Sequence, residues 1–535
     1  MNRLLFAVSL WLSIQSTLAD NGTDLLVSVP IIQPSGSQPL VSTLLSFSIE
    51  QDRWPDWSGI DSRNEFTFNA LETLAQLTGH PPNIRVGANS EDRTTWSPTV
   101  TINEDEFPPP SSVTPYPEAT KITVGDAYYD LSKWLPAGKC THMTWGVNLG
   151  ADNITNAVNM AKAIIKAFNS EAVQQSGVQL DLIEIGNEAD LYKNNGLRPS
   201  NWTVEDYVPD WESIAGPVAQ AAGLHEGGSV SLQGAAFAGQ GFTPTEIFDL
   251  GILDSAPGKL ISVISQHRYS AAFCNGGDFP LISFMNKANV RSNLTLFEDD
   301  IAASKERGLG YILGETGSIA CHGAPGVSNT AGAALWVVDY TLQAATLGIT
   351  ELYFHEGVGY KYNFIQPISL NRSIVDGSPL DPPQPPHIQP SFYAALLVDT
   401  FVGLGGSPHL VELSVPNDNV TGYAAFVNGF IKRAVFVNLE AWLQSSTGDR
   451  PSVHIDLNFS LTSGGTNADA STLRKGQVQV RRLVIQHADD TSGLLWAGQS
   501  YETSNVHPSG PVSVETANIE DGVELRATEA ILITF

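Results

Sequence analysis

Residues 180–190 read LDLIEIGNEAD, and this segment has the pattern that decides the fold. The run from Leu180 to Gly186 carries apolar side chains on both faces, and the chain turns polar at Asn187 and Glu188. A short strand that is apolar on both faces is typical of a parallel sheet covered by helices. Strands of the same kind are expected on both sides of this segment.

Short β-rich runs alternate with helical patterns through the first two thirds of the chain. The predicted strands are Val41–Ile49, Asn83–Gly87, Met143–Leu149, Leu180–Gly186, Ser229–Leu232, Leu260–Tyr269, Tyr311–Gly314 and Thr350–Phe354. The predicted helices are Glu65–Leu77, Ile154–Phe168, Val204–Ala222, Leu296–Glu306, Thr330–Leu347 and Ser391–Val402. This alternation predicts an α/β fold, a (β/α)8 TIM barrel over 41–403. The alternative is an open doubly wound sheet, which usually carries a glycine-rich loop after its first strand, and SFSIE at 46–50 has no glycine.

The pattern changes to period two after residue 403. Tyr423–Val427, the pair Asn428-Gly429 and Phe430–Val437 predict a β-hairpin, because Asn-Gly suits a type I′ turn. Further alternating runs predict an all-β sandwich domain over 404–535. Leu25–Ile32 also alternates, and we expect residues 20–40 to add an N-terminal strand to that sandwich.

The composition indicates a globular, acidic, exported protein. Of the 535 residues, 42% are hydrophobic, and 56 acidic against 28 basic side chains give a net charge of −28. Nucleic acid and anionic membranes need clustered Lys and Arg, so neither is a predicted partner. Residues 1–19 have the basic start, apolar core and small-residue end of a signal peptide, which predicts a secreted, extracellular protein. Seven N-x-S/T sequons predict surface glycosylation at Asn21, Asn153, Asn201, Asn293, Asn371, Asn419 and Asn458.

The three cysteines are too few for a disulfide scaffold, and one bridge with one free thiol is the expected count. Cys274 and Cys321 follow strands six and seven on the same barrel face, so a bridge between them and two unlinked thiols are both open. No CxxC or HExxH motif occurs, and we predict no metal and no cofactor.

Two glutamates stand where predicted barrel strands end. Glu188 follows strand four and Glu315 follows strand seven, and reactive groups in parallel barrels lie at these carboxyl ends. Two carboxyl groups held ~5–5.5 Å apart support retaining glycoside hydrolysis, with one nucleophile and one acid/base. Singly, each residue could equally be a structural acid; together they favour catalysis.

Several motifs resemble those of a known family. IGNE at 185–188 is similar to the Asn-Glu signature of retaining (β/α)8 glycosidases. Residues 314–357 resemble glycoside hydrolase family 79, in particular its fungal and bacterial exo-β-glucuronidase branch. FSIE at 47–50, IRVGANSED at 84–92, MTWGVNLG at 143–150 and HRYS at 267–270 match the same branch.

The resemblance implies a role for each matching residue. Glu188 would be the acid/base, Glu315 the nucleophile, and Asn187 a contact to the sugar 2-OH. Tyr269 and Arg85 would donate to the nucleophile, although Arg85 could equally form a structural ion pair. The remaining implied sugar contacts are Glu50, Asn148, His322, Gly323, His355 and Tyr362, with Tyr360 as a fallback for Tyr362. Asn148 could equally be a strand-end turn residue. His322, Gly323 and Tyr362 would serve the C6 carboxylate of a glucuronide.

These features predict a retaining exo-β-glucuronidase that releases terminal glucuronic acid, with or without a 4-O-methyl group, from glucuronic-acid-containing glycans. The alternatives are another retaining glycosidase of the same clan, such as a β-xylosidase, an arabinofuranosidase or a heparanase-like endo-enzyme, and a non-catalytic carbohydrate-binding protein. A net charge of −28 disfavours the heparanase-like option, because sulfated chains need basic patches.

Overall fold

The structure, a computed structural model, describes residues 23–136, 140–239, 241–405, 407–460 and 476–535. The predicted signal peptide and the sequon at Asn21 lie outside these ranges. Within them, no helix combines the length and the apolar character needed to cross a membrane.

Eight parallel strands close into a barrel, which confirms the predicted fold class. Each strand pairs with the next in chain order, and strand eight pairs with strand one to close the circle. The barrel strands, numbered one to eight, are Leu45–Glu50, Ile84–Gly87, His142–Val147, Gln179–Ile185, Ser231–Phe237, Ile261–Ala272, Gly310–Ala320 and Leu352–Glu356. The carboxyl ends of all eight strands therefore share one rim.

Helices cover the outside of the barrel and return the chain between strands. The main ones are Glu65–Thr78, Asp126–Asp130, Ile154–Phe168, Val204–Ala222, Pro244–Asp249, Lys287–Leu294, Glu298–Glu306, Ala331–Leu347 and Ser391–Val402. Local chemistry sets their ends: Asn153 caps Ile154–Phe168 by accepting from the Asn156 amide at 3.0 Å. The positive φ of Gly223 ends Val204–Ala222.

Strand seven is longer than the sequence indicated, so the predicted end at Gly314 is wrong. Strands six and seven continue past the rim as a two-stranded ribbon, with Tyr269 opposite Gly317 and Ala272 opposite Ala320. The register shifts next to Gly314, which is an extra residue in strand seven. A Cβ at Gly314 would lie 2.1 Å from Ser265 Oγ, so this bulge requires glycine. Glu315 consequently lies within the strand rather than after it.

The C-terminal β-domain consists of a three-stranded and an eight-stranded sheet. Thr23–Pro30 joins the smaller sheet as a parallel neighbour of Ser452–Ser460, as predicted, and Val523–Arg526 completes it. The larger sheet contains Gln38–Pro39, His409–Glu412, Val420–Val427, Phe430–Asn438, Gln477–Val484, Leu495–Trp496, Glu515–Asn518 and Glu529–Thr534. Apolar side chains of both sheets form a core separate from the barrel core. The domain boundaries at residues 40 and 403 stay predictions.

Partly buried polar contacts join the barrel to the C-terminal β-domain. Arg291 donates to Asp339 at 2.8 Å on the helix Ala331–Leu347, and to Tyr423 Oη at 3.0 Å and Glu412 at 2.6 Å in the larger sheet. The amides of Ala331 and Gly332 donate to carbonyls of the C-terminal domain. These contacts fix the helix that directly follows the Glu315 strand.

Three further sheets, in two excursions from the barrel, were not predicted. Thr94–Trp96, Asn103–Glu106 and Lys121–Val124 form a small sheet between barrel strands two and three. After strand eight, Leu370–Arg372 pairs with Pro379–Gln384, and Ile365–Gln366 pairs with His387–Ile388. Both excursions rise from the rim that carries Glu188 and Glu315.

Candidate active site

Glu188 and Glu315 face each other at the barrel mouth. One carboxylate oxygen of each, together with a ring nitrogen of His267, lie within 4.8 Å of one another. This spacing is shorter than the ~6.5–9.5 Å that inverting glycosidases need for an intervening water, and it suits direct nucleophilic attack. Two carboxylates and an imidazole at this spacing could also hold a divalent cation, which is the alternative use of this geometry.

The backbone conformation of Glu188 aims its side chain. Glu188 has φ +52°, a left-handed conformation that is uncommon outside glycine, and its amide donates to the Ala236 carbonyl of strand five at 2.9 Å. Its Oε1 lies 3.0 Å from His267 Nδ1, and the side chain keeps 13% exposure. The carboxyl group is thus held at a fixed point while remaining open to an incoming sugar.

Glu315 is held as a carboxylate by several donors. Tyr269 donates to its Oε1 at 2.7 Å, and Arg85 donates to its Oε2 at 2.9 Å. Burial disfavours the charge, but His355, His267 and Arg85 outweigh burial, and the Tyr269 hydrogen bond adds to them, which lowers the pKa of Glu315 to about 2. An acid that is ionised at every working pH and held by directed donors is suited to act as a nucleophile.

Arg85 connects Glu315 to several other buried polar side chains. Its guanidinium is 1% exposed and donates to Glu184, Ser48 Oγ, Glu315 and Asn187. Glu184 lies inside strand four, and the sequence analysis missed it. Glu184 interrupts an otherwise apolar run, and this interruption is the sequence feature that could have identified it. Both roles weighed for Arg85 are therefore present, a structural ion pair with Glu184 and a donor to Glu315.

Asn187 and Asn148 have different surroundings. Asn187 accepts from Arg85 Nη2 at 2.7 Å and its Nδ2 lies 3.4 Å from Asn89, beside the glutamate pair. Asn148, in contrast, donates to the Thr94 carbonyl at 2.9 Å and accepts from the Ala151 amide at 2.8 Å. These contacts fit the alternative role of a strand-end turn residue, and the sugar contact at Asn148 stays a prediction.

Glu50 and His355 form the floor on the strand-one side. Glu50 is fully buried; its Oε1 accepts from the Ser90 amide at 2.8 Å, and its Oε2 lies 3.1 Å from His355 Nε2. The other ring nitrogen of His355 lies 3.9 Å from Glu315 Oε2. Burial disfavours an imidazolium here, yet Glu315 and Glu50 raise the pKa of His355. His355 therefore couples the predicted sugar-binding acid to the predicted nucleophile.

Aromatic rings line the side near strand eight. The Tyr362 ring lies 6.0 Å from Tyr269 and 6.1 Å from His355 between centroids, which places it beside the glutamate pair. Tyr360 stacks on His322 at 3.8 Å and stands edge-on to Tyr362 at 5.7 Å. Both tyrosines named from the sequence thus belong to one ring cluster.

The predicted carboxylate donors near residue 322 are already engaged. His322 Nε2 lies 3.1 Å from Glu118, and the Gly323 amide donates to the Ile319 carbonyl at 3.1 Å. Gly323 is therefore not a free donor, a correction to the predicted contact. Burial opposes the charge of Glu118, but His322 and Arg93 lower the pKa of Glu118 to about 2. The sequence analysis missed this acid, which lies in the long segment between strands two and three.

Cys274 and Cys321 form a disulfide with their Cα atoms 5.0 Å apart, and Cys140 is free. The bridge ties the end of the strand six and seven ribbon directly beside His322. Four sequon asparagines are exposed, namely Asn153, Asn201, Asn371 and Asn419. Asn293 and Asn458 are half-buried, and the Asn293 amide donates to the Asn289 carbonyl at 2.9 Å. Glycosylation at the seven sequons stays a prediction.

Known proteins resemble this chain over most of its length. The family model described as the glycosyl hydrolase family 79 C-terminal beta domain matches residues 422–532. A β-glucuronidase of Aspergillus niger is 28% identical over 479 residues, covering 86% of this chain and 83% of that protein. A β-glucuronidase of Neurospora crassa is 26% identical over 514 residues, with 89% and 87% covered. These matches confirm the predicted resemblance to family 79.

Solved structures support the same architecture. A 4-O-α-L-rhamnosyl-β-D-glucuronidase of Fusarium oxysporum, in complex with Rha-GlcA, has a TM-score of 0.76 at 21% identity and covers 96% of this chain and 100% of that one. A family 51 α-L-arabinofuranosidase of Bifidobacterium longum has a TM-score of 0.57 at 14% identity, with 96% and 99% covered. At these identities the structures show the shared fold.

Proposed function

We propose that this chain, a glycoside hydrolase similar to family 79, is a retaining exo-β-glucuronidase that removes terminal glucuronic acid from glycans. The observation that carries the proposal is the paired arrangement of Glu188 and Glu315 within 4.8 Å. The two curated relatives named above are both β-glucuronidases, which supports the choice of sugar.

The reaction is a double displacement. Glu188 gives its proton to the glycosidic oxygen as that bond to the anomeric carbon breaks, and Glu315 Oε attacks the same carbon from the opposite face. The resulting glycosyl ester is hydrolysed when Glu188, now a carboxylate, takes a proton from water. The water oxygen then bonds to the anomeric carbon, and Glu315 leaves as a carboxylate. The product keeps the β configuration.

We assign recognition of the glucuronate to the part of the active site that lies away from the reacting bond. Glu50, His355 and Tyr362 line the floor and side where the distal hydroxyls and the C6 carboxylate would lie. Tyr362 is the proposed hydroxyl donor to the carboxylate, since a neutral donor can serve an anion without a paired cation. The His322–Glu118 bridge closes the adjoining wall. We propose that this wall favours terminal residues over internal ones.

Export and glycosylation are part of the proposal. The residues at 1–19 support cleavage of a signal peptide after Ala19. Asn153, Asn201, Asn371 and Asn419 are the sequons whose exposure best suits N-linked glycans. Secretion would bring the enzyme to extracellular plant or microbial glycans that carry terminal glucuronic acid.

The test is a panel of aryl glycosides assayed with the purified chain. We expect turnover of aryl β-glucuronide and of its 4-O-methyl form, and little turnover of aryl β-xyloside, β-glucoside or α-L-arabinofuranoside. Proton NMR during hydrolysis should show β-glucuronic acid first, and a chelator should leave the rate unchanged. A preference for a neutral sugar, initial α product, or binding of acidic glycans without turnover would reject the proposal.

A further inference from the structure

Two neighbouring acids at the barrel mouth, Glu91 and Asp92, have opposite surroundings. The Asp92 carboxylate accepts from the amides of Leu149, Gly150 and Asn187 and from the Tyr192 hydroxyl. Both oxygens of Glu91 are buried and lack any donor among the described residues. A fully buried carboxylate without donors is costly, whereas a carboxylic acid needs an acceptor for its own proton.

The barrel is shaped to admit the Glu91 side chain. A Cβ on Gly146 of strand three would lie 1.9 Å from Glu91 Oε2, and one on Gly87 of strand two would lie 2.6 Å from the same atom. Gly146 pairs in register with Glu184 of strand four, so the Glu91 carboxyl group that lies over Gly146 is placed next to the Glu184 side chain. Neither side chain is more than 1% exposed.

Two carboxyl groups in such contact require a proton between them, because two carboxylates are acceptors only. Glu184 also accepts from two arms of Arg85 and from Gln233, so it is the member with positive and polar donors. Glu91 is the member without donors. The charged groups facing Glu91 are Glu184, Asp92 and Arg85, and burial together with the two acids raises its pKa well above the ordinary value.

We propose that Glu91 is an uncharged carboxylic acid whose hydroxyl donates to Glu184, and that this shared proton leaves Arg85 available to Glu315. The consequence for Glu315 rests on its proposed role as nucleophile. With Glu91 neutral, Arg85 balances two carboxylates, Glu184 and Glu315. An ionised Glu91 would add a third anion at the same guanidinium and would favour protonation of Glu315. Glu91 is thus a positioning residue that acts through Glu184 and Arg85.

The test compares Glu91→Gln with Glu91→Leu. Glutamine keeps the shape and a donor toward Glu184, so kcat/KM for aryl β-glucuronide should stay within about twofold, and the acidic limb of its pH profile should not move. Leucine leaves a Glu184 lone pair without a donor and should lower kcat/KM about tenfold at unchanged folding by circular dichroism. A difference infrared spectrum of wild type minus Glu91→Gln should contain the C=O band of a protonated acid. The control is Asp399→Asn, at a buried acid of the helix Ser391–Val402 whose pKa is raised well above the ordinary value by burial, and its band should differ from that of Glu91.

Three results would overturn the inference. They are the absence of that band, a shift of the acidic limb to lower pH in Glu91→Gln, and equal losses in both variants. The infrared measurement uses no substrate. A wild type inactive on β-glucuronide would therefore reject the proposed function, whereas the presence of the band in the difference spectrum would still establish that Glu91 is protonated.

Discussion

The phenol of Tyr269 donates to Oε1 of Glu315 at 2.7 Å, from the strand that neighbours the Glu315 strand in the barrel. The contact depends on the bulge at Gly314, which changes the register so that Glu315 is opposite His267 and Tyr269 is two residues farther along. The hydrogen bond made by this hydroxyl therefore depends both on the register of strands six and seven and on the ionisation of the proposed nucleophile.

Replacing Tyr269 with phenylalanine should slow catalysis without unfolding the protein. A hydrogen bond to a charged group contributes about 1.5–3 kcal/mol, so kcat should fall roughly 10- to 100-fold. Steady-state kinetics with aryl β-glucuronide measures the loss. Tyr129→Phe is the matched control, because the Tyr129 hydroxyl has no partner within the described part of the chain. Equal rates for the two variants would contradict the assigned donor.

Arg85 should matter for stability as well as catalysis. Arg85→Met removes the cation between Glu184 and Glu315 and leaves buried carboxylates unpaired, which should cost about 3–5 kcal/mol of unfolding free energy. Urea denaturation measures this difference. Lys121→Ala breaks an exposed pair with Glu106 and should leave the urea midpoint essentially unchanged. An Arg85→Met midpoint equal to that of wild type would show that Arg85 does not stabilise the fold.

Acid should remove a stabilising contribution of Glu315. Its pKa in the fold is about 2 against an ordinary 4.5, so the ionised group stabilises the fold above about pH 4.5, and this contribution is lost as the pH falls toward 2. The full contribution is on the order of 3 kcal/mol. The gap in unfolding free energy between wild type and Glu315→Gln should therefore narrow steadily with acidification below pH 4.5. A constant gap would mean that Glu315 is not held as an anion.

The disulfide should stabilise the ribbon beside His322. It closes a loop with a sequence separation of 47 residues, for which chain entropy predicts a contribution of about 4 kcal/mol. The variant with both Cys274→Ser and Cys321→Ser should melt at a lower temperature and lose activity earlier on heating. Cys140→Ser removes the free thiol and should melt like wild type. Identical melting of all three proteins would show that the bridge is dispensable.

Sequence reasoning reached the residues that stand where strands end. Glu188 and Glu315 follow apolar runs, and a barrel rim then brings them together although they are far apart in the chain. It missed Glu91 and Glu118, because an acid in a turn or a long excursion has no pattern that distinguishes burial from exposure. It also missed Glu184, although this acid interrupts an apolar run. The pairing of Glu118 with His322 could be identified only after the structure placed strands two and seven at the same rim.

The length of strand seven could not be predicted from the sequence pattern either. The polar run after Gly314 reads as a turn, yet it continues to Ala320 because strand six offers a partner beyond the barrel. Asn148 was left open between a sugar contact and a strand-end turn residue. Its hydrogen bonds to Thr94 and Ala151 fit the second role, which depends on the loop geometry and not on the sequence pattern.

Azide rescue of two alanine variants tests the central claim most directly. Glu188→Ala and Glu315→Ala should each lose about 10²-fold or more of the turnover of aryl β-glucuronide, while Glu306→Ala, at an exposed helical acid, should not. Added azide should restore Glu315→Ala with formation of α-glucuronyl azide, and Glu188→Ala with formation of β-glucuronyl azide. Full activity in either variant, or azide products of the opposite anomeric configuration, would contradict the assignment of Glu315 as nucleophile and Glu188 as acid/base.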